Sequence, residues 1–251
     1  MISDASLGPL VGAALLLVAG LPAFAYGFRL LRRKRAIEDT PTSKIRSVAM
    51  GNVEVEGTAR TFEEITQAPF SGTPCLYFSY RIEERYTYRD ENKVEHEGWK
   101  QIDASNWSVT FFIEDETGKI LIDVKGAEFE VEERLSQKPL LEPDIPPGVA
   151  IRISLPRRGI LRYTERFIRP GDHVYALGFA GDNPHHVDAS QETVDSGKMI
   201  QARQGSLFIV ADKSQKVLLA GAGIMAKLAI GGGAAFILIG LLGVIYALTL
   251  A

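Results

Sequence analysis

The stretch "FFIEDETGKILID", Phe111 to Asp123, sets four acidic residues around one glycine. It is either a metal or catalytic site or the tip of a β-hairpin. Val109, Phe111 and Ile113 alternate with Thr110 and Phe112 before the acidic run, and Ile120, Leu121, Ile122 and Val124 follow it. That is the pattern of two strands. Neighbouring strand residues point to opposite faces, so Glu114 and Asp115 diverge, and the run lacks the regular oxygen-ligand spacing of a calcium loop. The hairpin is the better reading, with Gly118 expected to supply a positive φ in a loop of roughly three to five residues.

Outward from this hairpin the period of two persists. Val53 and Val55 alternate with Asn52, Glu54 and Glu56, as in a strand with one buried face. In "CLYFSYRIEERYTY" Leu76, Phe78, Tyr80 and Ile82 share a face, and "RDEN" at Arg89–Asn92 turns the chain into "KVEHEGWKQI", giving a meander. Pro146, Pro147 and Gly148 mark one turn and Arg169–Asp172 another, between "ILRYTERFI" and "HVYALGF". "AGDNPHHVDASQETVDSGK" reads as a polar surface loop and "GSLFIVAD" as a last strand. Thr40 and Pro41 suit the N-cap and first turn of a short helix ending near Gly51, and Ser214 can cap another.

The two ends differ from this middle. Residues 5–28 and 228–251 carry no charge, and each run is long enough to cross a hydrocarbon core of roughly 30 Å. A secretory signal needs positive charge ahead of its apolar run. Here Asp4 precedes the first run, and Arg29, Arg32, Arg33, Lys34 and Arg35 follow it. Lys213, Lys216 and Lys227 precede the second run. The positive-inside rule places both termini outside and the middle in the cytoplasm of a cell membrane spanned twice. The basic cluster serves topology first and contact with anionic lipid second. Gly8, Gly12, Gly231 and Ala235 are candidates for close helix packing, within one chain or in a homo-oligomer.

The expected organisation is a membrane protein, mainly β. It comprises a transmembrane helix (5–28), a basic juxtamembrane segment with a short helix (29–50), and a β-rich domain (51–212) whose pattern admits an OB-like barrel and two lobes meeting near 137–150. A lead-in helix (213–227) and a second transmembrane helix (228–251) follow. The sequence is 46% hydrophobic, with net charge −3 and one cysteine. An internal disulfide is excluded, and nucleic acid is not an expected partner.

"DTPTSKIRSVAMGNVEVEGTA", "PFSGTPCLYFSYRIEE", "FFIEDETGKILIDVKGAEFEV" and "RYTERFIRPGDHVYALG" together resemble the GIDE domain family, over roughly residues 36–212. This is the membrane-flanked part, outside the RING finger, of a mitochondrial ubiquitin E3 ligase. The resemblance implies a β-rich domain between two membrane helices that senses or binds other proteins. Ligase chemistry does not carry over to any residue here. A RING needs about eight Cys and His ligands for two zinc ions, and this sequence has one Cys and four His.

Catalytic, cofactor and metal residues are therefore expected to be none. Cys75, with His96 on a neighbouring strand, is the one thiol candidate, and packing is the better reading of it. His185 and His186 fall in a polar loop, and His173 follows the "RPGD" turn. Arg81, Arg85 and Arg89, interleaved with aromatics and followed by Trp99 and Trp107, are the candidates for contact with a protein partner. The carboxylates among them oppose nucleic acid. The expected function is a membrane-anchored protein-interaction or scaffold module. The alternatives are a component of an E3-like transferase working with a separate RING protein, and a lipid-binding module.

Overall fold

The computed structural model describes residues 4–62, 64–140, 160–183 and 195–249. The chain divides into a helical unit, Met1–Thr40 with Gln215–Ala251, and a β unit, Pro41–Ser214. Helix α1 spans Asp4–Glu38. The strands are β1 Gly51–Thr61, β2 Thr66–Gln67, β3 Pro74–Cys75, β4 Tyr77–Arg89, β5 Glu95–Ser108, β6 Phe111–Asp115 and β7 Gly118–Ile122. They continue with β8 Glu128–Glu130, β9 Leu135–Leu140, β10 Leu161–Ile168, β11 His173–Asp182, β12 Asp195–Gln201 and β13 Ile209–Ala211. Helix α2 spans Gln215–Thr249.

In the β unit, five strands close on themselves in the order β1, β6, β7, β12, β11 and back to β1. The closing pair is antiparallel over Gly51–Thr58 and His173–Ala180. Only the β7–β12 pair of the barrel is parallel among the described residues. Alternation fills the interior: Val53 and Val55 meet Phe111, Ile113, Ile120, Ile122 and Ile200 in one core. Gly57 is required where β1 runs closest to β6, because a Cβ there would strike the Glu114 carbonyl. Strands β13 and β8 extend the sheet beyond β11, and a second sheet runs β5, β4, β10, β9.

Four expectations change on the structure. The hairpin at Phe111–Asp123 forms, but Asp115 pairs with Gly118, so its loop is Glu116–Thr117 and Gly118 has no positive φ. The helix expected after Pro41 is a single 3-10 turn, Ile45–Ser47, within an otherwise extended strap. Thr40 ends α1 instead, its hydroxyl donating to the Ala36 carbonyl at 2.8 Å. Part of the expected polar loop is strand: β12 closes the barrel although its sequence is "DSGKMIQ". Pro146, Pro147, Gly148, His185 and His186, and most of the lobe boundary expected near 137–150, lie outside the described residues.

In the helical unit, α1 and α2 each run 35 residues, about 50 Å at 1.5 Å per residue. Both are long and apolar enough to cross a membrane, and only 17% and 11% of their apolar spans is buried, unlike the core helices of a soluble fold. The basic cluster Arg29–Arg35 continues α1 without a break. The helices pack closely at Gly20, Gly27, Gly233, Gly240 and Gly243, where an added Cβ would meet the opposite helix. Gly8, Gly12 and Gly231 face open space, so the small-residue contact lies at other glycines than the sequence suggested.

This packing makes a selective prediction. A Cβ at Gly233 would land 2.5 Å from the Phe24 nitrogen, whereas one at Gly231 meets nothing within 4 Å. Gly233→Leu should destabilise the helix pair by about 1–3 kcal/mol, and Gly231→Leu by less than ~0.5 kcal/mol. Unfolding in mixed micelles titrated with SDS measures both.

Candidate functional site

The acidic hairpin tip grips the strap that leads into the barrel. Asp115 Oδ2 accepts the Ile45 backbone N–H at 3.1 Å. Its Oδ1 accepts from the Thr117 and Gly118 amides at 2.7 and 3.0 Å and from the Thr117 hydroxyl at 2.6 Å. Thr117 Oγ1 in turn accepts the Arg46 N–H at 3.1 Å, and Lys44 pairs with Glu116. Burial alone would push the Asp115 carboxyl up; its bonds to Thr117, Ile45 and Gly118 outweigh that and hold it below the usual range. The strap is thereby fixed with Ile45 fully buried and Val48 nearly so in the barrel core.

Behind the tip lies a cavity of about 720 Å³ lined by Lys44, Glu56, Arg60, Glu114, Asp115, Glu116 and His173 among others. Arg60 pairs with Glu114 at 2.5 Å. Among the described residues, no group of three or more His, Cys, Asp or Glu is placed to hold a metal ion. The acidic run is a clasp made of peptide hydrogen bonds and ion pairs.

Two buried carboxylates escaped the sequence reading. Glu54 is fully buried, although alternation with Val53 and Val55 suggested an exposed face. It accepts from the Tyr175 hydroxyl at 2.9 Å and the Thr42 hydroxyl at 2.5 Å, tying the strap to two barrel strands. Burial first, then the Glu54 charge, raises the Tyr175 pKa. Glu165, also fully buried, accepts the Phe70 and Ser71 amides at 2.8 and 3.1 Å, pinning that turn against the second sheet. Isolated acidic letters in strands carry no signal of this role, because their partners, side-chain hydroxyls for Glu54 and backbone amides for Glu165, lie elsewhere along the chain.

The lone thiol is sealed from solvent. Cys75 is fully buried with Ala68, Phe167 and Phe78, and burial, reinforced by the Glu165 charge, pushes its pKa up to about 12. His96 is bound elsewhere, its Nε2 3.0 Å from Asp90 and its ring stacked on Tyr88. The basic residues Arg29, Arg32, Arg33, Lys34 and Arg35 occupy the last turns of α1, where Lys34 pairs with Glu38.

The five partner-contact candidates do not form one patch. They lie on the long β4–β5 hairpin, whose register shifts between Ile82 and Glu83 and leaves Ile102 without an opposite residue. That bulge reverses which residues of β5 point to which face. Trp99 lies opposite Arg85, on the face shared by Arg81 and Arg89, whereas Trp107 lies opposite Phe78 on the other face. On the first face Arg162 stacks over Trp99 at 4.4 Å and pairs with Glu83, Arg85 pairs with Glu97, and Arg89 with Glu95. On the second, Trp107 stacks on Phe78, while Tyr86 and Tyr88 stack together at 45% and 50% exposure. The sequence signal for Tyr86 and Tyr88 was present, but their exposure depends on the hairpin projecting beyond its neighbours.

The clasp is directly testable. Asp115→Ala removes the acceptor of three backbone N–H groups, a loss of about 1–3 kcal/mol locally. Hydrogen exchange should show the amides of Ile45 and Arg46 losing protection at least tenfold, while amides of the β10 strand stay unchanged.

Comparison with known proteins gives one match. The GIDE family model, described as E3 Ubiquitin ligase, matches residues 83–245, from within β4 through most of α2. No curated protein and no solved structure matches.

Proposed function

Because the chain belongs to the GIDE family, we propose that it is a membrane-anchored protein-interaction module associated with ubiquitin-ligase function, acting by placement and with no catalytic residues of its own. The observation that carries this reading is the β4–β5 hairpin, which presents Trp99, Arg85 and Arg89 on one face and exposed Tyr86, Tyr88 and Trp107 on the other. Trp, Tyr and Arg are the residues enriched at protein interfaces and at their energetic centres. Two apolar helices supply the anchor, and anchoring confines a partner near the bilayer and raises its effective concentration.

The orientation proposed is that both termini lie outside a cell membrane with the β unit in the cytoplasm. It rests on the five cations that end α1. The burial and raised pKa of Cys75 speak against a thiol enzyme. Transfer chemistry, where this module takes part in it, belongs to a RING finger, whose zinc ligands residues 1–251 do not supply.

Affinity purification of the full chain from gently solubilised native membranes tests the reading. Wild type should retain a stoichiometric protein, and Trp99→Ala with Arg85→Ala should lower its recovery about tenfold. Equal recovery by wild type and variant, or retention of nothing by either, contradicts it. Loss with Trp107→Ala alone would assign contact to the opposite face.

A further inference from the structure

The second sheet ends on β5, a 14-residue strand with no strand on its outer side among the described residues. We propose that this edge pairs antiparallel with β5 of a second copy of the chain, about a two-fold axis between Gln101 and Ile102, joining the two sheets into one. Several observations converge on that register.

The first is exposure. Ala104 to Trp107 are all exposed, and from Gln101 to Ser108 the strand carries one charge, Asp103, and neither lysine nor proline. Lysine and proline are the usual guards of an unpaired edge. The second is charge. In the proposed register Lys100 falls opposite Asp103 of the second copy, twice by symmetry, and Glu95 and Glu97 fall opposite Ser108 and Asn106. Lys100 is exposed and has no ion pair among the described residues. Asp103 is half-buried, with Oδ2 accepting the Tyr80 hydroxyl at 2.9 Å. Opposite charges across a strand pair attract and like charges repel.

The third observation is the bulge. Cross-strand partners must point to the same face, so in a regular strand an even-numbered residue cannot pair with an odd-numbered one about such an axis. The unopposed Ile102 shifts the parity: Lys100 lies opposite Glu84 and Asp103 opposite Ile82, on one face of the sheet. Bulges on edges commonly discourage pairing. This one makes the charge-matched register consistent in its faces, and sets His96 against Trp107 of the second copy.

The proposal goes beyond the partner reading, and its failure leaves that reading standing. Mass photometry and light scattering of the full chain in nanodiscs or mild detergent should show a dimer. Lys100→Asp and Asp103→Lys should each weaken it about tenfold or more, and the double exchange should restore it to within about threefold of wild type. A Lys100→Cys/Asp103→Cys chain should form an intermolecular disulfide on mild oxidation, a readout that does not depend on charge. A monomer at about 50 µM, a dimer indifferent to Lys100→Asp, or no disulfide in the cysteine variant would overturn the proposal. The indifferent dimer would place the contact in the membrane helices.

Discussion

A carboxylate removed from water is tolerated where hydrogen-bond donors replace its hydration, and backbone amides are the donors a β fold can supply. The β unit depends on this. Asp115 accepts amides from its own turn and from the strap, and so closes a hairpin and fixes the strap in the same act. The fixed strap puts Ile45 into the barrel core. Glu54 ties the same strap to β1 and β11, and Asp212 does the corresponding work beyond β13, accepting from the Glu132 amide and Arg134 at 3.1 Å. Both segments that connect the β unit to α1 and α2 are thus held by carboxylates of the β unit.

Much of this was legible where burial has a period. The hairpin at Phe111–Asp123, the meander of β4 and β5, and the two apolar ends all follow from alternation or from uncharged length. What stayed hidden depends on contacts distant in sequence. β12 reads as polar loop because a seven-residue strand with two charges earns its place through pairing with β7 and β11. Glu54 reads as exposed because alternation describes one layer, and this strand is covered on both sides. Trp99 and Trp107 read as neighbours because a single unopposed residue, Ile102, leaves no mark in the sequence yet sends them to opposite faces. The helix glycines show the same limit: composition marks them as packing residues, and only the geometry separates Gly233 from Gly231.

Under the function proposed above, the division of labour is between anchoring and presentation. The helical unit is apolar and glycine-packed, suited to a bilayer, and the β unit spends its buried charges on holding its own loops. Its buried titratable groups, Glu54, Tyr175, Glu165 and Cys75, bind partners within the fold or are sealed in apolar surroundings, while the hairpin surface exposes Tyr86, Tyr88 and Trp107 beside charged groups. That distribution supports the proposed interaction module, in a family described as E3 Ubiquitin ligase.

The acidic tip is a clasp held by an ionised Asp115, and amide NMR of the full chain across the acid range can follow its release. A depressed folded pKa means that the stabilisation is complete above the ordinary aspartate value, about 4, and is lost as pH falls through the lower folded value. The amides of Ile45, Thr117 and Gly118 should therefore shift together, with one midpoint below about 4. Independent midpoints, or a common one at or above the ordinary value, would contradict the clasp.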